Sequence, residues 1–211
     1  TYYPAHASSA PRHGIDHQVH GWTPSGDAVL FRSMRDANGG STETALYTVS
    51  LEGGLPTKLP MPTAGAGDFS SDGSQIAYCP LFRDFRTWKR YEGGWAQYIS
   101  IFDLESHESK TIAYTARSER DPMWIGKDVY FTSDRDGTLN LYKYEVKKDR
   151  VQQLTQSELW DVRWPSSDNE SRIIYELSGQ LHIHDVTQSG NRAHKRLRIH
   201  VPHDGLAMRP S

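Results

Sequence analysis

Several features on which a fold or a reaction can depend are scarce in this sequence. A single cysteine, Cys79, excludes an internal disulfide and any cysteine-based metal cluster. No apolar run approaches the ~18 residues that a membrane-spanning helix needs. Lysine and arginine number 24 against 26 aspartate and glutamate residues, so the net charge of −2 gives no global attraction to nucleic acid or to an anionic membrane. We therefore expect neither a nucleic-acid partner nor a membrane partner.

Motifs that carry catalytic or cofactor chemistry are also missing. There is no Gly-x-Ser-x-Gly nucleophile elbow and no phosphate-binding glycine loop. Residues 133–137 lack the bidentate glutamate of a calcium loop and are better explained as a hairpin turn. The histidines at 13, 17 and 20 lie in a predicted loop and strand rather than on one helix face, which disfavours a zinc site. We expect no cofactor, no metal and no catalytic residue in this chain.

Aromatic residues are plentiful, and they occur in a repeated phrase. An aromatic residue, a polar turn and a short β-branched or aromatic run follow one another four times, which predicts four hairpins. The four leading aromatics are Trp22, Phe69, Trp124 and Trp164, which stand 47, 55 and 40 residues apart. An alternating strand follows each hairpin, at residues 45–49, 98–104, 141–146 and 181–186. In the last of these, His182 and His184 point to the same side, so we predict a polar strand face there. We expect the four leading aromatics to lie in the core.

The period of the repeat indicates the fold class. Four strands in every ~40–50 residues are typical of β-propeller blades. No segment sustains a 3.6-residue apolar period, and a β-sandwich would not repeat one phrase at this spacing. We predict an all-β propeller of about four four-stranded antiparallel blades, at residues 17–63, 64–116, 117–157 and 158–201, with residues 1–16 as the end of a preceding blade and a junction.

Four blades with open edges favour a piece of a larger propeller over a closed four-bladed ring. Exposed strand edges pair readily with other chains, so we expect association of copies, either as a homo-oligomer or by strand swapping.

The 55-residue spacing contains an insertion, residues 79–95, which is both basic and aromatic. Its cations are Arg83, Arg86, Lys89 and Arg90, and they alternate with Phe85, Trp88 and Tyr91. Three interpretations are open. The insertion could be an ordered loop with ion-paired cations, a nucleic-acid contact, or a surface that lines a pore or meets a domain or a peptide carboxylate. The rest of the chain is not basic overall, which disfavours the nucleic-acid contact.

The insertion resembles the Trp-Lys-x-Tyr-x-Gly-Gly segment of the tricorn proteases. The matching residues are Trp88, Lys89, Tyr91, Gly93 and Gly94. Residues 121–126, 130–137 and 160–165 are similar to the next blades of the same propeller, and residues 1–3 and 21–26 to its earlier blade junction. The blade phrases also occur in TolB-type propellers, whereas the insertion is more specific.

This resemblance implies a role within a larger protein. Tricorn proteases are multidomain, oligomeric serine peptidases that carry a six-bladed propeller, a seven-bladed propeller, a PDZ-like domain and catalytic domains. The resemblance implies that this chain is the later four blades of the six-bladed propeller. Such a segment is not itself an enzyme. It would gate or channel peptides to a distant catalytic domain of a peptide-hydrolysing parent and contact that parent's remaining domains and subunits.

The resemblance also suggests a peptide-binding set. The family has a basic pair between its second and third blades that is proposed to anchor the carboxylate at a peptide's C-terminus. The matching residues are Arg12 and His13, and the second is a histidine whose charge would depend on pH near 6.5. The predicted peptide-binding residues are Arg12, His13, Arg83, Arg86, Lys89 and Arg90.

Two alternatives remain. One is a stand-alone TolB-like propeller that acts as a protein-interaction module. A PDZ-like and serine-peptidase region after residue 211 would distinguish the tricorn interpretation from this one. The other is an autonomous enzyme, which the absence of a nucleophile–base or metal constellation disfavours. One cysteine is compatible with the cytoplasm, which we prefer, and also with the periplasm.

Overall fold

The computed structural model describes residues 17–36, 43–81 and 89–200. These residues form sixteen β-strands and two short 3-10 turns, at Val146–Lys148 and Gly190–Ala193. Within the described ranges, no helix has the length and apolar character needed to cross a membrane. The predicted preceding-blade segment, residues 1–16, lies outside the described residues.

The strands form four antiparallel sheets, each in chain order, which we call blades 1 to 4. Blade 1 contains β1 (Gln18–Trp22), β2 (Ala28–Ser33), β3 (Ala45–Ser50) and β4 (Thr57–Lys58). Blade 2 contains β5 (Ala66–Phe69), β6 (Gln75–Cys79), β7 (Ile99–Asp103) and β8 (Ser109–Ile112). Blade 3 contains β9 (Glu119–Ile125), β10 (Asp128–Ser133), β11 (Asn140–Glu145) and β12 (Arg150–Gln153). Blade 4 contains β13 (Arg163–Ser167), β14 (Arg172–Leu177), β15 (Gln180–Asp185) and β16 (His194–Arg196). The predicted propeller of four four-stranded blades is confirmed.

The repeated phrase forms the first hairpin of each of the first three blades. Trp22 pairs with Val29 across the β1–β2 turn, and Trp124 pairs with Val129 across the β9–β10 turn. Polar side chains close the turns. In blade 1, the Asp27 carboxylate accepts hydrogen bonds from the hydroxyls of Thr23 and Ser25 at 2.8 and 2.6 Å. These bonds hold the pKa of Asp27 below its ordinary value, because they stabilise the ionised carboxylate.

Blade 4 departs from the phrase. Trp164 does not end its strand, because β13 continues to Ser167 and the turn follows at residues 168–171. The register shifts between Arg163 and Ser166, and Trp164 sits in this bulge with φ +50° and 65% of its surface exposed. The sequence pattern matched Trp164 to the leading aromatics of the other blades. In the structure, the turn at residues 168–171 is what corresponds to the first-hairpin turns of those blades.

Each blade packs on the next through residues that alternate along its strands. We call the side toward the preceding blade the back face and the side toward the following blade the forward face. Leu30 and Leu46 of blade 1 pack on Ile76, Tyr78 and Phe102 of blade 2. Ala77, Cys79 and Ile99 of blade 2 pack on Val129, Phe131, Tyr142 and Tyr144 of blade 3. Tyr130 and Leu141 of blade 3 pack with Ile173 of blade 4. The core is therefore a series of interfaces between neighbouring blades.

This arrangement decides which leading aromatics are buried. Trp124, on the back face of blade 3, is 5% exposed because blade 2 covers it, and Phe69 is 8% exposed. Trp22 occupies the same position on the back face of blade 1, which no other described residue range covers, and it is 55% exposed. The prediction that all four aromatics lie in the core is therefore wrong for Trp22 and Trp164.

A buried carboxylate joins three blades where their first strands meet. Asp68 Oδ2 on β5 accepts a hydrogen bond from the backbone N of Trp124 at 2.7 Å and another from Asn169 Nδ2 at 2.8 Å. Asn169 lies in the β13–β14 turn with φ +58°, a conformation that asparagine tolerates well. Its amide also reaches the Trp124 carbonyl at 3.3 Å. One side chain of blade 2 thus holds blades 3 and 4.

Burial has a cost for this carboxylate. Removal from water raises the pKa of Asp68 to about 6, although the hydrogen bonds from Trp124 and Asn169 oppose the rise. The folded protein therefore binds the Asp68 proton more tightly than the unfolded chain does. The stability that protonation adds is complete below the ordinary pKa near 3.8 and is lost as pH rises through about 6.

We expect Trp124→Ala to lower the free energy of unfolding by about 3–5 kcal/mol, because it leaves a large cavity between blades 2 and 3. Trp22→Ala removes the same side chain from the same position of an uncovered face, and we expect it to cost less than about 1 kcal/mol. Urea denaturation followed by circular dichroism measures both. Equal losses would contradict the assignment of the core to the interfaces between blades.

We expect Asp68→Asn to remove a pH-dependent part of the stability. The asparagine keeps an oxygen that accepts from Trp124 and Asn169, but it does not titrate. Relative to this variant, the wild type should gain up to about 3 kcal/mol as pH falls from 7 to 4. Denaturation of both proteins at several pH values gives the difference directly, and parallel pH profiles would contradict the shifted pKa.

Candidate functional site

The two ends of the propeller carry connections of different length. At one end, the first and second strands of each blade are joined by short turns, such as residues 126–127 and 168–171. Longer segments lie at the opposite end, where second strands join third strands in blades 1 to 3 and one blade passes to the next, whereas in blade 4 residues 178–179 alone make this connection. We call this end the loop face and define it by the described segments 89–98, 113–118, 134–139 and 154–162. The described part of the insertion belongs to it.

Two of the predicted peptide-binding residues lie on the loop face, where the neighbouring blade holds them. Lys89 Nζ is 2.7 Å from Asp161 Oδ2. The backbone N of Arg90 donates to Asp134 Oδ2 at 3.0 Å, and its Nε donates to the Gly137 carbonyl at 2.8 Å. The insertion of blade 2 therefore crosses the β10–β11 loop of blade 3 and reaches the connection that leads to blade 4.

Arg117, from the connection between blades 2 and 3, fastens the same segment. Its Nη1 donates to the Arg90 carbonyl at 2.9 Å, and its Nη2 lies 2.7 Å from Glu92 Oε1. Asp134 also accepts from the Ser118 backbone N at 2.9 Å, so this carboxylate binds both segments. Exposed ion pairs contribute little singly, but Asp134 and Asp161 are buried, which makes their contacts more costly to break.

Large apolar side chains project from this fixed surface. Trp95, Tyr114, Leu159 and Trp160 are all at least half exposed, Trp160 by 59%. Tyr114 makes an edge contact with Tyr98, with ring centroids 6.3 Å apart. Ser157 Oγ donates to the Trp160 carbonyl at 2.5 Å and thereby holds the loop that presents the indole. Exposed aromatics on an ordered backbone are a common feature of protein and peptide contact surfaces.

An ion pair between Arg135 and the buried Glu119 lies beneath the loop face and links the β10–β11 loop to β9. Arg135 Nη2 lies 3.4 Å from Glu119 Oε1 and donates to the Ala113 carbonyl at 2.8 Å. Its guanidinium stacks over the Tyr142 ring at 4.9 Å. Glu119 is fully buried, and burial raises its pKa above the ordinary value while the hydroxyl of Thr115 and Arg135 oppose the rise. This pair anchors the β10–β11 loop on which Arg90 rests.

Beside the loop face, a cleft of about 680 Å³ lies between the outer strands of blades 3 and 4. His184 and His194 line it with ring centroids 4.5 Å apart, and His182 stacks on Tyr175 at 5.5 Å. Burial, with the charge of His194, lowers the pKa of His184 to about 4, so His184 is neutral at pH 7. The predicted polar strand face thus turns toward blade 3. Among the described residues, no group of three His, Cys, Asp or Glu side chains could hold a metal ion.

Of the predicted peptide-binding residues, the structure brings Lys89 and Arg90 together on the loop face. Arg12, His13, Arg83 and Arg86 lie outside the described residues. Sequence reasoning missed Asp134, Asp161, Arg117 and Trp160 as parts of this surface. One signal could have found them: strand order places every loop after a second or fourth strand at the same end of a propeller.

Comparison with known proteins gives the family. The profile of the Tricorn protease N-terminal beta propeller domain matches residues 1–190. The curated Tricorn protease homolog 1 of Streptomyces coelicolor is 26% identical over 166 residues, which are 78% of this chain and 15% of that protein. The chain spans about 15% of the length of the curated relatives it matches.

Solved structures show the same fold. A putative TolB from Agrobacterium tumefaciens superposes with a TM-score of 0.66 at 17% identity, over 86% of this chain and 64% of that chain. The crystal structure of the tricorn protease superposes with a TM-score of 0.50 at 18% identity, over 92% of this chain and 24% of that chain. The family match covers most of the chain, and the structure has the four blades that such a domain requires, so the resemblance predicted from the insertion is confirmed. This chain belongs to the family of tricorn protease N-terminal β-propeller domains.

Proposed function

We propose that this propeller is the non-catalytic peptide-handling region of a tricorn-type serine peptidase. Its loop face would hold passing peptides, gate or channel them toward a distant catalytic domain, and contact the other domains and subunits of the parent. The family assignment supports this role, as do the curated relatives, whose names describe proteases of which this chain spans about 15%.

One observation carries the proposal: the aromatic side chains of the loop face are exposed on a backbone that is already fixed. The contacts of Lys89, Arg90 and Arg117 join the segment 89–98 to the three connections at residues 113–118, 134–139 and 154–162. A surface that is ordered in advance loses less conformational entropy when a flexible peptide binds. Trp95 and Trp160 offer large apolar area for peptide side chains.

The exposed cations of the loop face are suited to bind the C-terminal carboxylate of a peptide. Lys89 pairs with Asp161 yet keeps 55% of its side chain exposed, and Arg163 lies 3.9 Å from the same carboxylate with 58% exposed. A peptide carboxylate can approach both cations from the solvent side, where a charge-assisted hydrogen bond would form. We place Arg12, His13, Arg83 and Arg86 in the same proposal as further cations that contact peptides.

A stand-alone TolB-like propeller that acts as a protein-interaction module is the alternative. The likeness to TolB, at 17% identity, concerns the fold and does not separate the two functions. The ligand separates them, because a peptide-handling surface must bind short unfolded segments in isolation.

We expect Trp160→Ala to weaken peptide binding at least ~5-fold, because it removes the largest exposed ring of the loop segment 154–162. The probe is a fluorescein-labelled decapeptide with apolar residues near a free C-terminal carboxylate, and fluorescence anisotropy measures its Kd for the 211-residue chain. Capping the carboxylate as an amide should weaken binding further, since the cations would lose their partner.

Trp22→Ala provides the matched control for this measurement. Trp22 exposes 55% of its surface, close to the 59% of Trp160, but lies at the short-turn end of blade 1. It should leave the Kd within ~2-fold of the wild type. Equal losses from both variants, or no binding of the decapeptide at millimolar concentration, would overturn the peptide-handling role and favour the alternative.

A further inference from the structure

Three histidines occupy the outer strands of blade 4, on the back face that turns toward blade 3. His182 and His184 lie on β15, and His194 lies opposite His184 on β16. With Tyr130 and Leu154 of blade 3, they line the cleft of about 680 Å³ between the two blades. Both walls of this cleft belong to described blades. A blade that followed blade 4 would pack on its forward face and would leave the cleft unchanged.

Other blades carry apolar residues where blade 4 carries histidines. Strand register places His184 at the position of Phe102 in blade 2 and Tyr144 in blade 3. Both of these residues are 2% exposed and pack in the apolar clusters between blades. His194 occupies the position of Val151 in blade 3. The interface between blades 3 and 4 therefore has imidazoles where the interface between blades 2 and 3 has apolar side chains.

These imidazoles lie close together and are poorly supplied with partners. The rings of His184 and His194 have centroids 4.5 Å apart. His184 is 4% exposed, and its Nδ1 has no hydrogen-bond partner among the described residues. His182 stacks on Tyr175, whose hydroxyl lies 3.3 Å from His194 Nδ1. Burial raises the pKa of Tyr175 to about 12, so this hydroxyl keeps its proton. Protonation of both rings would place two like charges side by side where water reaches them poorly.

The facing wall in blade 3 does not compensate for such charges. Lys143 lines the cleft and brings a positive charge of its own. Its Nζ lies 2.8 Å from Asp128 and 3.9 Å from Glu145, and Arg150 Nη2 lies 2.8 Å from the same glutamate. Both carboxylates beside the cleft are thus already paired with cations. Burial raises the pKa of the Tyr130 phenol, which is therefore neutral at pH 7 and below.

On the histidine wall itself, the charges act in both directions. Arg196 opposes protonation of His182, whereas Glu176 favours it. Asp185 follows His184 on the opposite side of β15 and favours protonation of that ring. Burial is the largest effect at all three histidines, and it lowers each pKa, that of His184 to about 4.

The fold therefore keeps these histidines neutral. The stability that neutral imidazoles give to the contact is complete above the ordinary pKa of 6.5, and it is lost as pH falls toward about 4. Asp68 behaves in the opposite way, because its proton adds stability as pH falls. This carboxylate joins the first strands of blades 2 and 3 and the β13–β14 turn. Acid thus weakens the outer strands of the interface while the inner contacts persist.

We propose that the contact between blades 3 and 4 is an acid-sensitive hinge. Charging of His182, His184 and His194 moves β15 and β16 away from blade 3, while the Asp68 contacts hold the inner strands together. The hinge depends only on groups within the described blades, and it widens a cleft that is already present at neutral pH.

Hydrogen–deuterium exchange of the 211-residue chain at pH 7 and pH 5 measures the opening, once the rates are corrected for the intrinsic effect of pH on amide exchange. We expect the amides of residues 180–196 to exchange at least ~10-fold faster at pH 5, because opening transfers His184 to water. The matching strands of blade 2, residues 99–112, carry Phe102 in place of His184 and should change by less than ~2-fold.

His184→Gln combined with His194→Gln removes two of the charges and keeps polar side chains of similar size. In this double variant, the pH difference at residues 180–196 should fall to ~2-fold or less. His107→Gln is the matched control, because His107 is an exposed histidine of blade 2, and it should leave the difference unchanged. Asp68 titrates in all of these proteins, so its effect cancels when they are compared.

Three results would overturn the hinge. The first is equal corrected exchange of residues 180–196 at both pH values. The second is an equal acceleration in blades 2 and 4, which would indicate general unfolding. The third is a pH difference that persists in the double variant, which would assign it to another group. Where circular dichroism shows that the double variant is unfolded, His184→Phe, which supplies the residue of blade 2, repeats the test.

Discussion

Each blade is a four-stranded sheet with apolar residues on both sides, and it must bury both. One hairpin or one isolated sheet cannot do so, and stacking sheets one after another solves the problem for every inner face. The consequences are visible at single positions. Trp124 and Trp22 occupy the same register position, and each pairs with a valine on the next strand. Trp124 is buried because blade 2 covers it, whereas Trp22 is exposed because no described blade covers the back face of blade 1.

The same stacking gives the propeller two different ends, one with short turns and the other the loop face. Short polar turns close the first hairpins, and at this end the Asp68 carboxylate fixes the relative position of blades 2, 3 and 4. At the opposite end most connections are longer, and the insertion extends across the β10–β11 loop of the neighbouring blade. Function can therefore vary on the loop face while the interfaces between blades stay constant.

The sequence predicts the blades well because their signals are local. A turn of polar residues between β-branched and aromatic runs determines a hairpin within about ten residues. Trp164 shows where local reasoning ends. The bulge between Arg163 and Ser166 moves this residue out of register, although it leads the same kind of phrase as Trp124.

The site was less predictable, for a related reason. Composition marked the insertion as unusual, and Lys89 and Arg90 lie on the loop face. Their partners Asp161 and Asp134 are tens of residues away, and only the closing of the blade series brings them close. The exposure of Trp160 was equally hidden, because an aromatic beside a strand is more often part of the core.

The contacts of Asp68 also impose an order on folding. Asn169 follows Asp68 by 101 residues, so a chain that emerges from the ribosome completes blades 1 and 2 long before this partner exists. Until then the carboxylate lacks one of its two hydrogen bonds and keeps only the bond from the Trp124 amide. Blade 4 therefore joins blades 2 and 3 at this point only after the β13–β14 turn has formed.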